Sequence, residues 1–192
     1  AHKRGCTFEP AAAKYLVETA GEDISTLQNE LNKLCFYLPG GTITWQDVDL
    51  LSVKTVEASV YNLSKHIFAR DAGGALKTLD ELFFMRLEPM IILYTVSSAY
   101  VDLYRVFVCR KKGLKNPEIA AEFGYKGREF VLDRAAQSLS KFDFKRLSLS
   151  FEALLAADRQ LKSFGADPRT VLEQLIVRLI YIIAKGESVD KA

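Results

Sequence analysis

The sequence predicts an all-α protein, built as a small three-helix unit over residues 1–52 followed by a helical bundle over residues 53–192. Glycine and proline are scarce, at 11 and 5 of 192 residues, while 49% of the chain is hydrophobic and 26% charged, a composition that folds around a core with few breaks. Apolar residues recur at helical spacing through most of the chain. Many of these stretches open on Asp, Thr or Pro and close on Gly, the punctuation of helices.

Pro10, AAAKYLVETA and then Gly21 read as a first helix. Asp23 caps ISTLQNELNKLCFYL, in which Ile24, Leu27, Leu31, Leu34 and Leu38 share one face, and Pro39-Gly40-Gly41 ends it. Thr44 with Asp47 three residues on has the reciprocal capping pattern that starts a short helix through Leu51. Three such helices bury little surface, so they are expected to be a satellite packed on a neighbour.

The polar stretch Ser52 to Val56 is the expected boundary. Beyond it a helix runs from about Ala58 to Ala69, and Asp71 caps another that ends near Met85, with Gly73-Gly74 weakening its first turn. The Glu88-Pro89 step starts the longest helix, to Lys112, apolar on almost every side and therefore placed in the middle of the bundle. Its polar residues Thr95, Ser98, Asp102 and Arg105 keep a spacing of three or four and form one stripe. After the basic Arg110-Lys111-Lys112, the segment NPEIAAEFGYKGREFVLDRAAQ imitates a helix-turn-helix through Ala120 and Gly124. Glu129 and Asp133 beside Arg128 and Arg134 make a poor face for phosphate.

Phe142 and Asp143 open the helix leading into the closing pair, FEALLAADRQLKSFGADPRTVLEQLIVRLIYII. Gly165 stops the first helix and Asp167-Pro168 starts the second, which makes an antiparallel hairpin. Asp158 falls four residues after Leu154 and three before Leu161, so its carboxylate is expected along the buried stripe. A buried charge needs a cation. Lys162, one turn on in the favourable acid-first order, and Arg105 on the central helix are the candidates.

No catalytic constellation is legible. His2 and His66 pair with no nucleophile in the sequence pattern, and the glycine pairs lack a following Lys-Ser or Lys-Thr that would cradle phosphate. No cofactor or metal site is expected. Cys6, Cys35 and Cys109 are odd in number and widely spaced, which points to a reducing cytoplasm. A net charge of +2 gives no bulk attraction for nucleic acid, so any such contact needs a local cluster. Without a run of about 18 uncharged apolar residues, no membrane span is expected. The opening AHKRGCTFEP has no initiator Met and reads as cut from something longer.

Two sets of residues carry a family resemblance. Ala20 to Leu34, AGEDISTLQNELNKL, resembles the lid helix of AAA+ clamp-loader subunits, with Ser25 where relatives usually have an arginine that can sense nucleotide phosphates. The Val60-Tyr61-Asn62-Leu63 opening, the Asp71-Ala72-Gly73 turn, the proline-started long helix, Glu118-Ile119-Ala120 before Phe123-Gly124, and Asp158 before Leu161-Lys162 follow in the order of a collar. It resembles the C-terminal collar of the DNA polymerase III delta subunit, a component of the bacterial sliding-clamp loader.

The resemblance implies a three-helix AAA+ lid and a helical collar that assembles beside other loader subunits of motor and delta-prime type. It implies a sliding clamp met through a missing N-terminal module, primed DNA met in the full complex, and a subunit that does not hydrolyse ATP. Under it, Arg105, Asp158 and Lys162 either satisfy charges inside the bundle or meet a neighbouring subunit. Phe164, just before Gly165, either tucks onto its own helices or stacks on a base of unpaired template strand. A helix-turn-helix DNA-binding regulator and a generic helical adaptor are the competing readings.

Overall fold

The computed structural model describes residues 5–21, 23–52, 56–125 and 129–187. Residues 53–55 of the expected boundary, together with His2 and Arg128, lie outside them. The chain divides into two compact units, Ala1–Asn62 and Leu63–Ala192, the division falling inside a helix.

In the first unit α1 (Pro10–Ala20) begins on a proline, whose missing N–H costs nothing in a first turn, and ends on Gly21 at φ +83°. The Asp23 carboxylate accepts from the Thr26 amide at 2.7 Å and so starts α2 (Ile24–Tyr37). Thr44 and Asp47 cap α3 (Trp45–Leu51) reciprocally, Thr44 N donating to Asp47 Oδ2 at 2.8 Å and Asp47 N to Thr44 Oγ1 at 3.4 Å. Leu16, Leu34, Ile43 and Val48 form the centre of a small core, with Leu27, Leu31 and Leu38 packed against it. Ile24 departs from the expected face and stands 79% exposed. It is the first residue of α2, and periodicity says which side a residue takes but not where the opposing surface ends.

The helices are joined by a feature with no signal in the sequence pattern. Two-residue strands β1 (Thr7–Phe8) and β2 (Thr42–Ile43) pair in parallel, Thr7 opposite Thr42 and Phe8 opposite Ile43. The Thr7 and Glu9 amides donate to the Gly41 and Ile43 carbonyls, each at 3.1 Å.

The helix α4 (Val56–Ala69) crosses from the first unit into the second, which continues with α5 (Ala72–Phe84), α6 (Pro89–Lys111), α7 (Asn116–Phe123), α8 (Phe130–Ser138), a 3-10 turn (Leu139–Lys141), α9 (Phe144–Leu161) and α10 (Pro168–Lys185). As expected, α6 is central: it packs on α7, α8, α9 and α10 and buries Ile92, Leu93, Val96, Tyr100, Leu103 and Val106. Tyr100 sits edge-on to Phe68, Phe142 and Phe151, with ring centroids 5.1, 5.9 and 6.5 Å away. By length and composition alone α6 could cross a membrane. Its packing on four helices, and Asp102 and Arg105 in its middle, are those of a core helix. Its first turns nevertheless leave Met90, Ile91 and Tyr94 exposed, so it is not enclosed on every side.

Two cations tie the bundle over long sequence distances. Lys141 Nζ donates to the Phe68 carbonyl at 2.9 Å, and Arg146 Nε donates to the Ile183 carbonyl at 3.2 Å. Those carbonyls belong to the last turns of α4 and α10, where a helix has acceptors without partners and favours positive charge. Arg146 also holds Asp143, the N-cap of α9, so the start of α9 lies beside the end of α10 and the hairpin is antiparallel.

Candidate subunit-contact site

The polar stripe of α6 leads to a closed cluster. Gly124, in the left-handed region at φ +72°, turns the chain at the end of α7 and lets Tyr125 fold back onto α6. The Tyr125 hydroxyl donates to the buried Asp102 carboxylate and accepts from Arg105 Nη1 at 2.6 Å. Arg105 lies 3.6 Å from Asp102 and 5.2 Å above the Phe123 ring. Burial first, and then the bond to Asp102, hold the Tyr125 phenol above its usual range, which keeps it protonated as a donor.

Arg105 is therefore not the mate of Asp158. Its guanidinium is taken by residues of its own helix and of the turn after α7. Asp158 is not on the buried stripe either. Ala153, Leu154 and Ala157 take the inward positions of α9, and the Asp158 side chain keeps 32% of its surface in water, 2.7 Å from Lys162 Nζ. Its periodic slot borders the buried face without belonging to it. The three residues thus occupy two places: Arg105 in a polar latch, Asp158 and Lys162 in a surface pair. Beyond that pair, at the hairpin connection, Phe164 is fully exposed and Gly165 follows at φ +84°. Asp167 then caps α10 by accepting from the Thr170 amide at 2.9 Å.

Two further features were missed by the sequence reasoning. A groove of about 570 Å³ opens between α5, α9 and α10, lined by Leu76, Ala153, Ala157, Val171, Leu175 and Val177. Ala153 and Ala157, one turn apart, were the available signal, because two small side chains on one helix face leave space that larger ones would fill. Arg169 clips α5 to α10 there, pairing with Asp80 and, at 2.9 Å, with Glu173.

The other feature is His66, which the sequence reads as an ordinary helix residue. Its Nδ1 lies 2.7 Å from Asp71 Oδ2, while Asp71 Oδ1 accepts from the Gly74 amide at 2.9 Å. The Gly74 amide and then His66 hold the Asp71 carboxyl below its ordinary range. A Cβ on Gly74 would fall 2.2 Å from the Asp71 carboxylate and 2.4 Å from the His66 ring, so the glycine that weakens α5 by propensity is what leaves room for its cap.

These arrangements offer shape and exposed apolar surface. Among the described residues no group of three His, Cys, Asp or Glu side chains is placed to hold a metal ion, and the three thiols are buried. Phe84, Tyr94, Phe144 and Phe164 of the second unit stand well exposed.

The sequence profile of the DNA polymerase III delta subunit, C-terminal domain, matches residues 57–179. The chain belongs to the delta-subunit family. The match runs from α4 into α10 and so coincides with the bundle. Similarity to individual delta subunits extends further: DNA polymerase III subunit delta of Bacillus subtilis (strain 168) is 24% identical over 91% of this chain and 50% of its own length. A probable DNA polymerase III subunit delta of Aquifex aeolicus (strain VF5) is 26% identical over 79% of this chain and 45% of its own length. The chain thus spans about half the length of these delta relatives. Among solved structures, a DNA clamp loader delta protein of Bacillus subtilis superposes with a TM-score of 0.75 at 23% identity, covering 94% of this chain and 53% of that one. The all-α fold expected from the resemblance is the fold found.

Proposed function

We propose that this chain serves DNA replication as part of a clamp-loader delta subunit, residues 1–52 forming the lid of an AAA+ module and residues 53–192 the collar. The observation that carries this reading is the coincidence of the delta-family profile, residues 57–179, with a helical bundle that closes on its own core. In this role the chain contributes surfaces and no reaction. Its collar seats beside motor and delta-prime type subunits in the cytoplasm. The clamp is reached through an N-terminal module, and primed DNA enters only in the complete loader. Ser25, where relatives usually carry a nucleotide-sensing arginine, supports a subunit that does not hydrolyse ATP.

The surfaces that support an assembly role are the groove between α5, α9 and α10 and the exposed apolar start of α6. Asp158 and Lys162 border the hairpin connection as polar contacts for a neighbour, whereas Arg105 serves by fixing the turn after α7. Size-exclusion chromatography of the chain mixed with motor and delta-prime type subunits tests the reading. Co-elution is expected, and separate elution of folded components would overturn it. At the tip, Phe164 stacks on template strand in the assembled loader. Phe164→Ala is expected to leave assembly intact and weaken binding to primed DNA by roughly 5- to 150-fold, the equivalent of one lost base stack. Unchanged DNA binding would remove that role.

A further inference from the structure

Arg110, Lys111, Lys112 and Lys115 place four cations in six consecutive residues with no acid among them, in a chain whose net charge is only +2. Positive charge in the last turn of α6 suits the negative end of that helix, and Arg110 and Lys111 lie in that turn. Lys112 and Lys115 lie beyond it, and all four side chains are exposed. Among the described residues none of the four is held in an ion pair. The nearby acids are engaged elsewhere: Glu118 accepts from the Lys115 backbone amide at 2.6 Å, and Asp133 accepts from the Asn116 side chain at 2.6 Å. Arg110 donates once, to Asn116 at 2.9 Å, and keeps its other guanidinium donors.

Beside these cations α6, α8 and the 3-10 turn leave an open groove of about 540 Å³. Phe107, Ala136, Leu139 and Phe142 give it an apolar lining, Ser140 a hydroxyl, and Arg110 and Lys111 a charged wall. Lys111 Nζ lies 4.5 Å from the Phe107 ring centroid, so its ammonium covers that face of the ring and is held at the groove wall. Cations along one side and apolar, partly aromatic surface beneath them match a chain that alternates phosphates with planar bases. A duplex offers only its phosphates to so shallow a surface, because its bases are already stacked. A purely acidic peptide such as polyglutamate offers charge with nothing for the apolar lining.

We propose that this groove binds a single strand of nucleic acid, with Arg110, Lys111 and Lys112 meeting the phosphodiester oxygens and the apolar Ala136 and Leu139 surface meeting a base. The site lies within the second unit and is independent of whether the chain assembles with clamp-loader subunits.

Fluorescence anisotropy of a labelled oligothymidylate of roughly 20 nucleotides, titrated with the full chain over a range of salt, tests it. Three neutralised phosphates predict that affinity falls about 20-fold between 50 and 200 mM salt. Lys111→Glu with Lys112→Glu is expected to weaken binding at least about tenfold and flatten the salt dependence, while Lys14→Glu in the first unit changes neither. Lys111→Arg keeps the charge and is expected to keep binding, which preserves the test if the double variant loses its circular-dichroism melt. The proposal is overturned by absence of salt-dependent binding, by an equal loss in Lys14→Glu, or by loss of binding in Lys111→Arg. Three competition results overturn it as well: displacement by pyrophosphate at matched phosphate concentration, which marks a small-anion site; preference for duplex; and preference for polyglutamate.

Discussion

The first unit and the bundle both surround a core with capped helices, but the donors that link their elements differ in charge. In the first unit the caps close over three residues, Asp23 to Thr26 and Thr44 to Asp47, with Thr7 to Thr42 and Tyr15 to Asp49 among the longer links. In the bundle Lys141 reaches back to Phe68, Arg146 forward to Ile183, Arg169 to Asp80 and Tyr125 to Asp102. The first unit also has the smaller core, centred on Leu16, Leu34, Ile43 and Val48. Both units use local caps, and in both side chains act between elements, but in the first unit these links are made by hydroxyls, whereas in the bundle lysine and arginine side chains make three of them. A bundle built this way can present a surface of constant shape, which is what assembly requires.

The largest effect that probes this contrast is expected from Leu103→Ala, a fully buried side chain of α6. It should cost about 2–5 kcal/mol in urea unfolding of the bundle and leave the first unit's transition in place. Leu34→Ala should do the converse, and a single shared shift from either variant would erase the distinction between the units. Tyr125→Phe removes the hydroxyl between Asp102 and Arg105 and should cost about 1–3 kcal/mol, since Asp102 stays buried with one donor fewer. A loss near zero would show that the latch does not hold α7 to α6.

Gly74→Ala should reverse the usual sign. An alanine normally stabilises a helix interior by about 1 kcal/mol, yet here the clash with Asp71 and His66 should leave a net loss of about 1–2 kcal/mol in the thermal melt. A gain would mean that the cap rearranges freely. The smallest effect is expected from Lys162→Ala, under about 0.5 kcal/mol, because its pair with Asp158 is wet. A loss above about 2 kcal/mol would restore Asp158 to the interior.

What the sequence made legible was local. Asp23, Thr44, Asp71, Asp143 and Asp167 cap the helices expected of them, and Pro10, Pro89 and Pro168 open theirs, because each device acts within three or four residues. The parallel pairing of Thr7–Phe8 with Thr42–Ile43 was not legible, since two residues carry no period. The partners of Arg105 were not legible either. Helical periodicity put it on a stripe with Asp102, but the hydroxyl that completes the cluster arrives from Tyr125 after an intervening helix. Asp158 was misplaced by a fraction of a turn, enough to move a carboxylate from core to water. The groove between α5, α9 and α10 depends on three helices at once and had only the Ala153–Ala157 pair to announce it.

The α9–α10 hairpin is bolted at its base, where Arg146 grips the start of one helix and the end of the other, whereas its opposite end carries an exposed pair, a glycine and a bare phenyl ring. Arg169 in the first turn of α10 is fastened to Asp80 of α5, so the far end is anchored as well, and only the short connection stands uncovered. Phe164 offers its ring from a stationary perch, and whatever it meets must come to it.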